Sequence, residues 1–225
     1  MSHIIGDNNS ESLLETTTSD GGLQVVAKQD EKNIIEIKGD SEVGIIGGSS
    51  EDKIITGAGD ANVYTGDGND EIIGGNGSDI IRGGEGDDVI LGGLGNDVLL
   101  GGEGNDILRG GMGAMSDTPD PVTSSTEDGG MSIADILKGG SGADIFEFSA
   151  SEFQDGVIDK IVDFKEDGFA DSIKVFGVGA DGNVTYDSDT GIVSVNGNAA
   201  IDIGAGQNIS FKQNEFEGDV NWELL

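Results

Sequence analysis

The chain has 225 residues, with 44 Asp+Glu against 11 Lys+Arg, 41 glycines, two prolines, one histidine and no cysteine. A net charge of -33 repels phosphate and argues against nucleic acid and anionic membrane surfaces as partners. With no cysteine and only His3, disulfides, thiolate chemistry, a zinc site and a histidine base all fit poorly.

Such acidity has two readings. It can leave a chain disordered, or it can await a hard cation, which carboxylates and carbonyls bind. The placement of the charges decides between them.

The N-terminus reads Met-Ser-His-Ile-Ile-Gly, without a basic segment or a long apolar one, so no secretory signal of the usual N-terminal kind is expected. No apolar run approaches the roughly 18 residues of a membrane span. Residues 1–22 read as a flexible N-terminal tail. Residues 23–46 contain LQVV and NIIEI, expected strands of an N-terminal cap.

A nine-residue repeat follows. From Gly74 the sequence runs GGNGSDIIR, GGEGDDVIL, GGLGNDVLL, GGEGNDILR without interruption. Backwards, the register gives TGDGNDEII from Thr65, TGAGDANVY from Thr56 and GGSSEDKII from Gly47. Forwards, GGMG from Gly110 stops and ADILK resumes at Ala134, followed by GGSGADIFE from Gly139. Residues 114–133, which hold both prolines, therefore read as a loop inserted into one repeat. The eighth position is apolar throughout, from Ile45 and Ile54 to Leu137 and Phe146, which a flexible glycine-rich linker has no reason to maintain.

Six residues of GGxGxD suit a turn and the next three a short strand. The middle strand residue should point inward and its neighbours outward. Two nonads would complete one coil, so that alternate repeats stack about 4.8 Å apart into a rod of about 22 Å. Acidic loops would then pile up along each edge, where adjacent carboxylates repel. A cation between coils would relieve this, taking carbonyl oxygens and sixth-position aspartates from two loops.

This tandem GGxGxD array resembles the RTX (repeats-in-toxin) proteins. The resemblance implies an all-β, right-handed parallel β-roll that binds Ca²⁺, and bacterial type I secretion through an ABC transporter that reads an uncleaved C-terminal signal. The candidate ligand set comprises Gly66, Gly68 and Asp70; Gly75, Gly77 and Asp79; Gly84, Gly86 and Asp88; Gly93, Gly95 and Asp97. It continues with Gly102, Gly104 and Asp106; Gly111, Gly113 and Asp135; Gly140, Gly142 and Asp144. Asp52, in a loop with Ser50 where glycine is expected, and Asp60, beside Ala61 at the sixth position, are weaker candidates. Roughly five to seven calcium ions are expected. Residues 47–113 carry 13 acidic and 3 basic side chains, a net of -10 that five such ions would cancel.

All 8 phenylalanines lie after residue 145. This shift divides the roll, 47–147, from a C-terminal zone, 148–225. The zone reads as short strands (DIFEF, DKIVDF, DSIKVFGV, NVTYD, GIVSV, AAIDI) with hairpin turns between the later ones, placed to cap the solenoid. Residues 134–203 resemble the segment after the roll in serralysin-type proteins. Asp159, Asp163 and Asp171 read as strand ends and turns, with an additional calcium site as the alternative. The closing Asn-Trp-Glu-Leu-Leu resembles the end of many type I substrates.

No HExxH, no cysteine and no serine with a histidine partner is present, and a narrow roll offers no cleft for an acid pair. The expectation is a non-catalytic, exported calcium-binding protein of the cell surface or exterior. The alternative is a carrier module of a larger secreted enzyme or toxin. Outward apolar residues (Ile73, Val89, Leu91 and Ile107 on one face; Ile80, Val98, Leu100 and Ile136 on the other) suggest contact with other proteins or with a second copy. Coverage by other segments of the chain is the competing explanation.

Overall fold

The computed structural model describes residues 3–6, 14–17, 22–112, 132–151, 153, 157–165, 170–179, 181–216 and 219–225. Strands β1 (His3–Gly6), β2 (Leu14–Thr17), β3 (Leu23–Val26) and β4 (Ile34–Lys38) precede the repeats. The repeats form β5 (Val43–Gly48), β6 (Lys53–Ile55), β7 (Ala61–Asp67), β8 (Glu71–Asn76), β9 (Ile80–Glu85), β10 (Val89–Leu94), β11 (Val98–Glu103), β12 (Ile107–Met112), β13 (Ser132–Ser141) and β14 (Ile145–Ser149). After them come β15 (Val157–Ile161), β16 (Ser172–Phe176), β17 (Val184–Asp187), β18 (Ile192–Val195), β19 (Asn198–Asp202), β20 (Phe211–Phe216) and β21 (Asp219–Leu224).

The chain alternates between two sheets, as two nonads per coil require. Even-numbered strands β4 to β16 stack in one sheet and odd-numbered strands β3 to β15 in the other. Within the array the pairing is parallel and shifted by 18 residues, for example Ile90 opposite Ile72 and Leu99 opposite Ile81. This is an all-β parallel β-roll.

The eighth position builds the core. Ile54, Val63, Ile72, Ile81, Ile90, Leu99, Leu108, Leu137 and Phe146 are all fully buried. Each strand contributes one such side chain because consecutive residues point to opposite faces and only the central residue of the triplet faces in. From Gly66 onward the described glycines at the second and fourth positions take φ between +100° and +139°, a region where a Cβ is strained, whereas Gly48, Gly57 and Gly59 do not.

Val98 pairs with Ile136 and Leu99 with Leu137, so the roll resumes in register across the interruption. The loop is shorter than 114–133 at its far end, because Ser132 and Ile133 already pair with Val157 and Ile158 in β15. The remainder of that loop, and Gly113 of the candidate ligand set, lie outside the described residues.

The ends depart from the expected boundaries. The stretch 1–22, expected as a tail, contributes β1, antiparallel to β4, and β2, antiparallel to β3. Sheet edges expose unpaired backbone groups, and both strands pair with the first coil. At the other end β14 runs across the expected 147/148 boundary, and β15 and β16 continue both parallel stacks. Six predicted C-terminal strands appear, with β17–β18–β19 joined as antiparallel hairpins. Two more were not anticipated. β21 inserts between β16 and β20, and Leu224, in the stretch read as a signal, is fully buried.

Candidate metal centre

The sixth-position aspartates point inward. Asp70, Asp79, Asp88, Asp97 and Asp106 are at most 2% exposed, a rare state for a carboxylate without a cationic partner. No Lys or Arg among the described residues pairs with any of them; the salt bridges lie elsewhere, such as Lys53–Glu71 and Lys212–Glu223.

One oxygen of each carboxylate is accounted for. Oδ1 accepts the backbone N–H of the sixth residue one coil earlier, giving two columns of rungs. In one column Asn33 donates to Asp52, Asp52 to Asp70, Asp70 to Asp88, Asp88 to Asp106, Asp106 to Asp144 and Asp144 to Asp171, at 2.7–3.1 Å. In the other, Ala61 donates to Asp79, Asp79 to Asp97, Asp97 to Asp135 and Asp135 to Asp159, at 2.7–3.2 Å.

The second oxygen is different. In Asp70, Asp79, Asp88, Asp97 and Asp106, Oδ2 is buried and accepts no hydrogen bond among the described residues. In the last four it lies against the first-position glycine of its own nonad and near the carbonyl oxygen of the first-position glycine one coil later. A Cβ built on Gly74, Gly83, Gly92 or Gly101 would collide with that carboxylate and would sit 2.5–2.8 Å from the carbonyl of Gly92, Gly101, Gly110 or Gly139. Glycine thus keeps open a cradle walled by one anionic oxygen and one carbonyl oxygen per rung.

These oxygens fit a hard divalent cation. A buried anionic oxygen with no donor is costly unless a positive charge completes it, and oxygen donors are what calcium takes. Among the described residues no three His, Cys, Asp or Glu side chains converge on one point. The donor set therefore combines single carboxylates with backbone carbonyls.

Electrostatics in the metal-free chain points the same way. Burial pushes the Asp79 carboxyl up to about 6 and those of Asp88, Asp97 and Asp106 up to about 7, opposed by the backbone N–H bonds. Neighbouring carboxylates push in the same direction as burial. Burial also raises Asp52 and Asp70, opposed by hydrogen bonds from Asn33 to Asp52 and from the Asp52 N–H to Asp70.

The weaker candidates separate on geometry. Asp52 is in the column, but its Oδ1 accepts from the Asn33 N–H and side-chain amide, and its Oδ2 accepts the Gly48 N–H at 3.1 Å. Protein donors complete it, so it is not an open carboxylate. Asp60 is a fifth-position residue, exposed, with Oδ1 accepting the Ser78 N–H. It does not replace the carboxylate missing at Ala61. Its bond to Ser78 is an outer, fifth-position rung, like those on the other edge, where Asn69 accepts from Asp87, Asp87 from Asn105, and Asn105 from Ala143.

The columns run beyond the regular array. Asp159 and Asp171 extend the two columns, 24 and 27 residues after Asp135 and Asp144 instead of 18. Asp163 accepts the N–H groups of Gly139 and Gly140, and Asp171 Oδ2 accepts that of Lys165, which sits at φ 59°. Asn33 heads the first column, 19 residues before Asp52. The sequence singled out Asp159, Asp163 and Asp171 as strand ends and turns or a further calcium site, but not as rungs of the columns, because their spacing departs from 18; Asn33 carried no signal at all.

Fold and site together define a repeat protein that holds cations in the turns of a β-roll. The RTX calcium-binding nonapeptide repeat family model matches four times, at residues 45–72, 64–99, 82–114 and 130–150. The matches cover residues 45–114 and 130–150, so this part of the chain is similar to an array of RTX calcium-binding repeats. No curated protein and no solved structure matches the chain.

Proposed function

We propose that this is a non-catalytic, exported calcium-binding protein whose roll folds when calcium reaches it. The observation that carries the reading is the row of buried Oδ2 atoms on Asp79, Asp88, Asp97 and Asp106, each facing a carbonyl and none with a donor. The ligands would be these carboxylates, continued by Asp135 and Asp144, with the glycine-rich backbone of the loops. Bound calcium supplies the positive charge that offsets desolvation of the carboxylates. Because the stacked loops exist only in the folded chain, binding free energy becomes folding free energy.

Export follows from the same chemistry. A chain of net charge -33 without cysteine suits passage in an unfolded state where calcium is scarce, and folding where it is abundant. The family resemblance adds a type I ABC transporter as the partner in export and a bacterial cell surface or exterior as the destination. Circular dichroism with millimolar Ca²⁺ and with excess chelator tests the folding step. A large gain of β signal on adding calcium is expected, and an unchanged β-rich spectrum in chelator would overturn it.

A second reading concerns assembly. Val89, Ile80 and Ile136 are 43, 38 and 36% exposed, and Ile73, Leu91, Ile107, Val98 and Leu100 are half-buried. Among the described residues, the N-terminal strands pair at the sheet edges and do not cover these faces. Contiguous apolar surface of this kind marks interaction sites. Sedimentation of the calcium-loaded protein is expected to show association that Leu91→Lys/Leu100→Lys removes. Monomers in both would end the self-association reading and leave a different protein as the occupant.

A further inference from the structure

The buried carboxylates lie in two rows of turns, one along each edge of the roll. Turns from odd to even strands hold Asp70, Asp88 and Asp106, and turns from even to odd strands hold Asp79 and Asp97. Inside, the rows are alike. Each of these carboxylates is at most 2% exposed, and each has an Oδ2 without a donor among the described residues.

Outside, the rows differ. The third position of the first row is Asp67, Glu85 and Glu103, all exposed, with Asp87 beside them at a fifth position. The same position of the second row is Asn76, Leu94 and Met112, and between Thr56 and Met112 the turns of that row have Asp60 as their one outer acid. The acidic row is stacked in register: Asp67 lies opposite Glu85, and Glu85 opposite Glu103, on strands about 4.8 Å apart. Like charges placed opposite each other repel. No Lys or Arg among the described residues forms an ion pair with Asp67, Glu85, Asp87 or Glu103.

The unpartnered Oδ2 atoms of Asp70, Asp88 and Asp106 mark, independently of the outer acids, where a positive charge belongs on this edge. Glu85 and Glu103 each follow by two residues the glycine that lines a cradle, Gly83 and Gly101, a backbone span of at most about 7 Å. A carboxylate about 10 Å from a divalent ion in water changes its binding about fourfold before screening.

We propose that Asp67, Glu85, Asp87 and Glu103 form an outer electrostatic lining that makes the acidic edge bind calcium more tightly than the neutral edge. The acidic edge then fills first, and the neutral edge follows at higher calcium. This deepens the calcium reading above and rests on it. The outer acids attract the ion without ligating it, and the ion in turn relieves their mutual repulsion.

The test follows the β signal of the full chain by circular dichroism against free calcium. It is run at about 10 mM and about 500 mM salt, where the screening length falls from about 30 Å to a few ångströms. Asp67→Asn/Glu85→Gln/Glu103→Gln is expected to raise the calcium midpoint about tenfold at the lower salt and less than about twofold at the higher. Asp181→Asn/Asp187→Asn/Asp189→Asn removes the same charge from exposed positions beyond the roll and should shift the midpoint far less. Equal shifts in the two triple variants would overturn the proposal. Conversely, Asn76→Asp/Leu94→Glu gives the neutral edge an acidic lining and should lower the midpoint severalfold at low salt. If the neutralised chain does not fold in saturating calcium, this pair decides, and an unchanged midpoint overturns the proposal. Native mass spectrometry should count the wild-type number of ions in every variant; an ion lost from the Asp67/Glu85/Glu103 variant would make these residues ligands and overturn their role as a lining. A wild type that binds no calcium would overturn the underlying calcium reading instead.

Discussion

Asp97→Asn is expected to weaken the roll in calcium and to strengthen it in chelator. Asparagine keeps a side-chain oxygen to accept the Asp79 N–H, so the rung survives. It removes the negative charge that a cation needs and that the metal-free chain must bury. Burial raises the Asp97 carboxyl to about 7 in the folded, metal-free chain, against an ordinary value of 3.8. For a group raised in this way, the stabilising contribution is complete below the ordinary value and is lost as pH rises through the folded one. At pH 8 the wild type therefore carries the whole penalty, on the order of 2 to 4 kcal/mol, and the variant does not.

In calcium the order reverses, because each ion bound only by the folded chain adds stability that grows with its concentration. Melts at graded free calcium should show the variant above the wild type at low calcium and below it at high calcium. The dependence on calcium should also be shallower by about one ion. The gap in chelator should close between pH 7 and pH 4 as protons neutralise the wild-type carboxylate. A variant less stable at every calcium concentration would mean that Asp97 is only a structural acceptor.

Leu99→Ala should give the largest loss among single truncations of the aliphatic core column. Leu99 is fully buried, pairs with Ile81 on one side and Leu137 on the other, and lies at the centre of its stack. With one inward side chain per strand, no neighbour on the same strand can move into the void. Removing a buried leucine in this setting costs about 2 to 5 kcal/mol. Near 2–4 °C per kcal/mol for a chain of this size, the melting temperature should fall by roughly 10 °C. Leu100→Ala, one residue on and half-buried on the outer face, is the control and should cost less than about 1 kcal/mol. Equal losses at the two positions would refute the one-residue-wide core.

Much of this could be read from a single sequence because the roll converts period into position. Each loop meets the loop 18 residues away, so an apolar eighth residue predicts the core and a sixth-position aspartate predicts the column. That rule placed Ile90, Leu99, Asp88 and Asp106, and it carried the register across the interruption to Asp135 and Leu137. It lost accuracy where the spacing changes. Asp171 occupies a rung, although it follows Asp144 by 27 residues where the column spacing is 18. Asp60 resembled a substitute ligand because only one residue separates the fifth position from the sixth. On a strand that step reverses the face, and the side chain projects to the outer ladder.

The sequence by itself determined the all-β parallel roll, the inward apolar column and the identity of the buried carboxylates, because these depend on local turn geometry repeated at fixed spacing. The tertiary structure decided which rungs are open. Whether a carboxylate oxygen keeps a vacant partner depends on what reaches it from elsewhere: Asn33 and Gly48 at Asp52, Lys165 at Asp171, and, among the described residues, no donor to Oδ2 at Asp70, Asp79, Asp88, Asp97 and Asp106. Hydrogen-bond satisfaction is set by the neighbours a folded chain brings within about 3 Å. At both ends of this roll those neighbours come from segments that do not follow the repeat.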